Sequence, residues 1–258
     1  MKLLAEISKG IGKLLDCLVG VVIAVVILFS SYSLYSSYLL YKGAFVSKKL
    51  TAVKPETDKE NGRLSFDALK KINSDVVAWI SVDQTHIDYP VVQGKTNLDY
   101  INQNIYKKFA LEGTIFLDSR NTSNFTDFYN ILYGHHMENG AMFGDLQKFL
   151  KKDFFDCSRT GELRVPSGKY RIDLFAVIQV DGYDSVIFQP DGMTTEKKRE
   201  QLISYIKSKQ VHYRKIKMKS EDRLIGFSTC ASTQTNGRTI VYGCIRQIGK
   251  GGNSETIP

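Results

Sequence analysis

The chain has 258 residues, 43% of them apolar and 24% charged, with a formal net charge of +8. That length and apolar share can bury a full core, so one domain plus an appendage is expected. The four cysteines are irregularly spaced and form no C-x-x-C pair, which excludes a disulfide-stapled scaffold and leaves a zinc ribbon unsupported.

The appendage comes first. Lys2, Lys9 and Lys13 precede an uncharged run over residues 17–41. That run exceeds the ~20 residues a helix needs to cross hydrocarbon. Its first part, CLVGVVIAVVILFS, is strongly apolar, and its second part places Tyr32, Tyr35, Tyr38 and Tyr41 as an interfacial belt. No A-x-A follows the apolar core, which favours an uncleaved anchor over a signal peptide. The repeated Tyr and Ser argue against a buried core helix. The expected topology is single-pass: residues 1–16 cytoplasmic, 17–41 in the membrane, and the bulk of the chain outside. Lys42, Lys48, Lys49 and Lys54 beyond the span count against that orientation. Outside the cell, nucleic acid is not an expected partner. The positive charge that remains suits either a solvated surface or a face against anionic lipid or wall polymer.

Residues 42–64 are polar and aperiodic and read as a linker. Ser65 is expected to cap a short helix with Phe66, Leu69 and Ile72 on one face. VVAWISV and IDYPVV read as strands around a turn at residues 83–85, with Pro90 marking an edge, a bend or a strand end. GTIFLD is another strand, SRNTSNFTD a loop, and FYNILYG a strand that runs into His135 and His136. MFGDLQKFL reads as a short helix burying Met142, Leu146 and Phe149. GKYRIDLFAVIQV is a long strand, and TTEKKREQLISYIKSKQ a helix with the stripe Leu202, Ile203 and Ile206. RLIGFST and RTIVYGCIR are the last strands, and residues 249–258 a flexible tail. Many short strands with a few helices imply a closed or nearly closed barrel.

Cys230 ends one strand and Arg238 begins the next, with Asn236-Gly237 as a turn signal between them. An antiparallel hairpin with that loop faces the thiol with the guanidinium. A neighbouring cation favours thiolate over thiol, and the same arginine can stabilise an oxyanion. A leaving amine then needs a general acid, and histidine is the usual one. Alternation puts Tyr133 and His135 on one face and His136 on the other, so only one of the pair can point at Cys230. His86, in a turn, and His212, after a helix end, are the alternatives. Adjacent histidines on opposite faces rarely converge on a metal, and none is expected.

The segments STC at 228–230, Arg238 eight residues on, and YGHHMENGAMFGDLQKF resemble the cysteine, arginine and histidine motifs of the sortases. Phe227 and Gly226 stand where Leu and Thr are common in that family. INSDVVAWISVDQTHIDYPVVQG and the long helix at 194–210 are similar to class B in particular, and the resemblance runs over residues 65–248. It implies a closed, eight-stranded sortase-type β-barrel, mainly β with added helices, behind an N-terminal transmembrane helix. The activity implied is that of a cysteine transpeptidase. Cys230 would attack the Thr carbonyl of a C-terminal sorting signal in secreted surface proteins. His135 rather than His136 would be the general acid and base, and Arg238 would hold the substrate and the oxyanion. An amino group of a peptidoglycan precursor of the lipid II type would resolve the thioester, with no cofactor. The signal would be recognised through Asn97, Ile101, Tyr133, Ser228 and Thr229. A cysteine hydrolase releasing to water, or a non-catalytic membrane-anchored wall-binding domain, are the readings that compete with it.

Overall fold

The computed structural model describes residues 2–56, 64–219, 221–230 and 236–247, with Cys230 described through its backbone. Contacts divide the chain into residues 1–42 and 43–258. The first unit belongs to helix α1 (Lys2–Ala44). Within it Lys9–Tyr38, of mean hydropathy 2.6, is long and apolar enough to cross a membrane.

The second unit is a barrel. Its strands are β1 (Val76–Val82), β2 (Asp88–Val92), β3 (Phe116–Leu117), β4 (Tyr129–Tyr133), β5 (Thr160–Val165), β6 (Gly168–Asp181), β7 (Gln210–Tyr213), β8 (Arg223–Cys230) and β9 (Gly237–Gln247). They are ordered β5-β1-β2-β3-β4-β8-β9-β6, and pairing of β5 with β6 closes the ring at eight strands. The long β6 makes the closure possible. One edge runs along β9 for its whole length, while the other pairs first with β5 and then with β7, which is the ninth strand among the described residues. Most neighbours are antiparallel. The exceptions are β2–β3, which touch at Val92↔Phe116, and β4–β8.

Side-chain period explains the interior. Leu163, Val165, Ile172, Leu174, Ile225, Phe227, Val241 and Ile245 are buried. In β6 the register shifts between Leu174 and Ala176, and the run Phe175–Ile178 is then buried on both faces. Helix α5 (Glu196–Ser208) covers that second face. Thr195 caps it by accepting the Lys198 N–H, and Leu202 and Ile206 join Phe175, Ile178 and Tyr242 in one cluster. Pro90 lies inside β2, opposite Trp79. The Val92 N–H faces β3, donating to the Ile115 carbonyl, so alternation turns the Pro90 nitrogen to that same side, where β3 does not reach.

Several expectations need correction. Helix α3 (Asp67–Ile72) has Phe66 at its N-cap, and Ser65 Oγ instead receives the Asp67 N–H at 3.5 Å. GTIFLD contributes only a two-residue strand. MFGDLQKFL forms a 3₁₀ helix over Gly144–Leu150, although Met142, Leu146 and Phe149 are buried as expected. Strands β5 and β7 and helix α4 (Lys152–Cys157) were not anticipated. The flexible tail expected from residue 249 lies outside the described residues.

The segment read as a linker is held, up to residue 56, by specific contacts. Ser47 caps helix α2 (Lys48–Thr51), and Leu50 is buried among Phe66, Leu69 and Trp79. Lys54 Nζ meets Asp88 Oδ1 at 2.5 Å, beside the Trp79 Nε1–H that donates to the same oxygen. Arg164 donates to the Pro55 carbonyl. Truncating Leu50 to Ala is therefore expected to destabilise a chain beginning at residue 43 by about 2 kcal/mol or more. Leu111→Ala, at a side chain 60% exposed, should cost under about 0.5 kcal/mol. Denaturant unfolding of the two variants checks this, and equal midpoints would mean a loose arm.

Candidate active site

The site is set by the two neighbours of β8. On one side β9 runs antiparallel, and the register ends with Thr229↔Thr239 and Cys230↔Arg238. On the other side β4 runs parallel, ending with Tyr133↔Ser228, and the Gly134 N–H donates to the Ser228 carbonyl at 3.2 Å. His135 follows Tyr133 by two residues, as Cys230 follows Ser228. The backbone therefore brings His135, Cys230 and Arg238 to one rim. The Cys230 side chain and residues 231–235 lie outside the described residues.

Gly134 makes room for that turn. A Cβ there would lie 2.8 Å from the Phe143 ring, which packs edge-on against Phe227. The close approach lets β4 leave the barrel immediately before His135.

A cleft of about 560 Å³ opens at this rim. It is lined by Asn97, Ile101, Tyr133, Ser228, Thr229, His135 and Arg238, which are all the expected site residues apart from Cys230. Phe188 and Arg120 also line it and were not foreseen from the sequence. The other three imidazoles are not among its lining. His86 is engaged by Asp145 at 2.9 Å, His212 Nε2 donates to the Leu150 carbonyl at 2.9 Å, and His136 has a buried Nδ1 without a partner among the described residues.

His135 Nε2 lies 2.7 Å from the Ile101 carbonyl oxygen. A carbonyl only accepts, so Nε2 carries a proton and Nδ1 is the ring atom free to exchange one. Arg238 turns its NH1 toward the carbonyls of Asn236 and Gly237, at 3.3 and 3.2 Å. Among the described residues it has no carboxylate partner, so its charge is open to an incoming anion. Gly182 leaves it space, because a Cβ there would sit 3.2 Å from the guanidinium carbon. Ser228 Oγ and Thr229 Oγ1 are buried without a partner among the described residues. An unsatisfied buried hydroxyl is costly, and a ligand in the cleft could relieve that cost at Ser228.

Beneath the cleft is a buried carboxylate, Asp118, which accepts from Asn97, Tyr133 and Arg120. Burial alone would push its pKa up. The hydrogen bonds from the Arg120 side chain and backbone, Asn97 and Tyr133 outweigh burial and hold it below the ordinary carboxylate range. Tyr133 is shifted the other way, first by burial and then by the Asp118 charge, and stays a protonated donor. Among the described residues no three His, Cys, Asp or Glu side chains converge to hold a metal ion.

Residues 80–245 match the sortase domain family. The chain belongs to the sortase family, class B. Sortase B of Listeria monocytogenes is 35% identical over 177 residues, 68% of this chain and 71% of that protein. A class B sortase of Streptococcus pyogenes involved in pilus biogenesis superimposes with a TM-score of 0.65 at 43% identity, over 70% of this chain and 98% of that one. The Staphylococcus aureus sortase B–substrate complex gives 0.66 at 32% identity, over 71% and 85%. Sortases are cysteine transpeptidases of the cell wall, acting on proteins that carry a sorting signal and on amine acceptors. A rim that carries Cys230, His135 and Arg238 is consistent with that class of chemistry.

The hydrogen bond to Ile101 makes a spectroscopic claim. Two-bond ¹H–¹⁵N correlation spectra of the neutral imidazole should show the Nε2–H tautomer at His135. An Nδ1–H pattern would mean that the Ile101 contact does not persist in solution.

Proposed function

We propose that this chain is a membrane-anchored sortase that cleaves a C-terminal sorting signal after Thr. It then transfers the acyl group to an amine of a peptidoglycan precursor. The supporting observation is the double register of β8, which faces Cys230 with Arg238 and ends β4 at the same rim two residues before His135. The anchor would be residues 17–41 and the catalytic domain 65–248, with residues 1–16 cytoplasmic and the domain extracytoplasmic. The segment 42–64 would join them, and 249–258 would trail.

In this reading Cys230 has passed its proton to His135 Nδ1, and the thiolate, favoured by the Arg238 cation, attacks the Thr carbonyl carbon. A C–S bond forms and the oxygen takes the negative charge, which the guanidinium meets with N–H donors. The C–N bond then breaks, and the leaving amine takes a proton from His135 Nδ1. The acceptor amine attacks the thioester, returns its proton to His135, and expels the thiolate. Holding Nε2–H on the Ile101 carbonyl keeps the imidazole oriented through both proton transfers. Asn97, Ile101, Tyr133, Ser228 and Thr229 would line the bound signal, which is supported by their place around one cleft.

The test is incubation of the extracytoplasmic domain with sorting-signal peptides and oligoglycine, read by mass spectrometry. A thioester adduct on Cys230 and an amine-dependent ligated product are expected. Product released only to water with excess amine would make the protein a hydrolase, and activity in Cys230→Ala would leave the thiol without a role. Arg238→Ala should cost more than about 100-fold in kcat/KM. Arg238→Lys should recover little of it, because an ammonium is not a planar fork. His135→Ala should cost about 100-fold or more and His136→Ala far less; equal losses would reverse the assignment.

A further inference from the structure

We propose that Asp118 is a positioning residue for sorting-signal binding. It would fasten three separate walls of the cleft into one preorganised surface. The proposal rests on the reading of that cleft as the signal-binding site.

Asp118 directly follows β3, is fully buried, and is not among the residues lining the cleft. Its Oδ2 accepts from Asn97 Nδ2 at 2.9 Å, from the Tyr133 hydroxyl at 2.9 Å and from Arg120 NH2 at 2.8 Å. Its Oδ1 accepts from Arg120 Nε at 2.9 Å and from the Arg120 backbone N–H at 3.0 Å. Arg120 extends the reach of this carboxylate. The same NH2 donates to the Phe188 carbonyl at 2.8 Å, and NH1 lies 3.7 Å from Asp191. The Phe188 ring stacks on the Tyr133 ring with centroids 6.3 Å apart. One carboxylate thus ties together the Asn97 loop, the end of β4 and the segment around Phe188.

A buried charge is expensive, and an apolar residue would fill the space at lower cost. An apolar residue could not take five donors from three parts of the chain. Asn97 also uses its Oδ1 to accept the Ser119 N–H at 2.8 Å, so its carboxamide is fixed at both ends. A peptide entering the cleft meets side chains already ordered, and preorganisation is worth affinity because the ordering cost is met before binding. No part of this network touches His135 or Arg238 in the hydrogen bonds described, so its effect should fall on binding rather than on bond making.

Asp118→Asn is the direct test, because it keeps the shape but replaces an acceptor oxygen with a donor facing other donors. With a fluorogenic signal peptide cleaved by the wild type, KM should rise about 10-fold, while kcat falls no more than about 3-fold. Iodoacetamide should label Cys230 at the wild-type rate. Arg120→Lys is the second variant, for the case that Asp118→Asn does not fold. It leaves the carboxylate in place but cannot bridge Asp118 and Phe188 together, and should raise KM about 3-fold or more. Lower thermal stability with KM unchanged would reduce Asp118 to a structural residue and overturn the proposal. A fall in kcat with KM unchanged would overturn it too. If the wild type cleaves and binds no signal peptide, the functional reading itself fails and the proposal falls with it. An unchanged KM in either folded variant of an active enzyme overturns the proposal alone.

Discussion

The site depends on the hydrogen-bonded register of one strand. β8 is held between β4, which runs parallel to it, and β9, which runs antiparallel. Side chains alternate along a strand, so a slip of one residue on either side would turn an entire set to the wrong face. The buried residues of β8 prevent that slip: Leu224, Ile225 and Phe227 are fully enclosed, as are Ile240, Val241 and Tyr242 on β9. Apolar burial therefore aligns the polar rim. The same packing that stabilises the barrel places Arg238 opposite Cys230 and sends β4 out beside them.

The rim is supplied with atoms that the barrel itself does not use. Backbone carbonyls orient the imidazole and receive the guanidinium, and among the described residues neither group is paired with a carboxylate. Asp118, the buried carboxylate of the cleft, is occupied by Arg120, Asn97 and Tyr133, and Asp181 is taken by Asn236. This arrangement keeps positive charge near the thiol position while the acidic group works beneath the cleft floor. A negatively charged partner placed against Arg238 would work against an oxyanion.

Much of this was legible in the residue pattern. Strands β1, β6, β8 and β9 and helix α5 carry long, clean periodicities, and each was found near its true limits. The hairpin that pairs Cys230 with Arg238 was readable from loop length and Asn236-Gly237. What was hidden has identifiable reasons. β5 alternates cleanly, but Gly161 fills one of its three inward positions, so only Leu163 and Val165 signal a buried face. β7 leaves Gln210 and Val211 exposed and so shows no buried face. The 142–150 segment has helical spacing but is wound as a 3₁₀ turn between glycine and the next helix, a difference that apolar pattern does not encode. The held arm buries Ala44, Leu50 and Pro55 at irregular spacing in a run rich in lysine, so no period marks it. Asp118 looks in the sequence like any turn aspartate after a strand. Its role depends on donors from Asn97, Arg120 and Tyr133, and no local pattern reports that convergence.

The parallel pairing of β4 with β8 joins distant parts of the chain: Asn130 bonds the Leu224 carbonyl across 94 residues. Closing so large a loop carries an entropic cost, which only late, non-local contacts can offset. Along the chain the imidazole comes long before the sulfur and the cation, so the rim is complete only when the last two strands have joined the sheet. Until that hairpin pairs, no strand register holds Cys230 opposite Arg238.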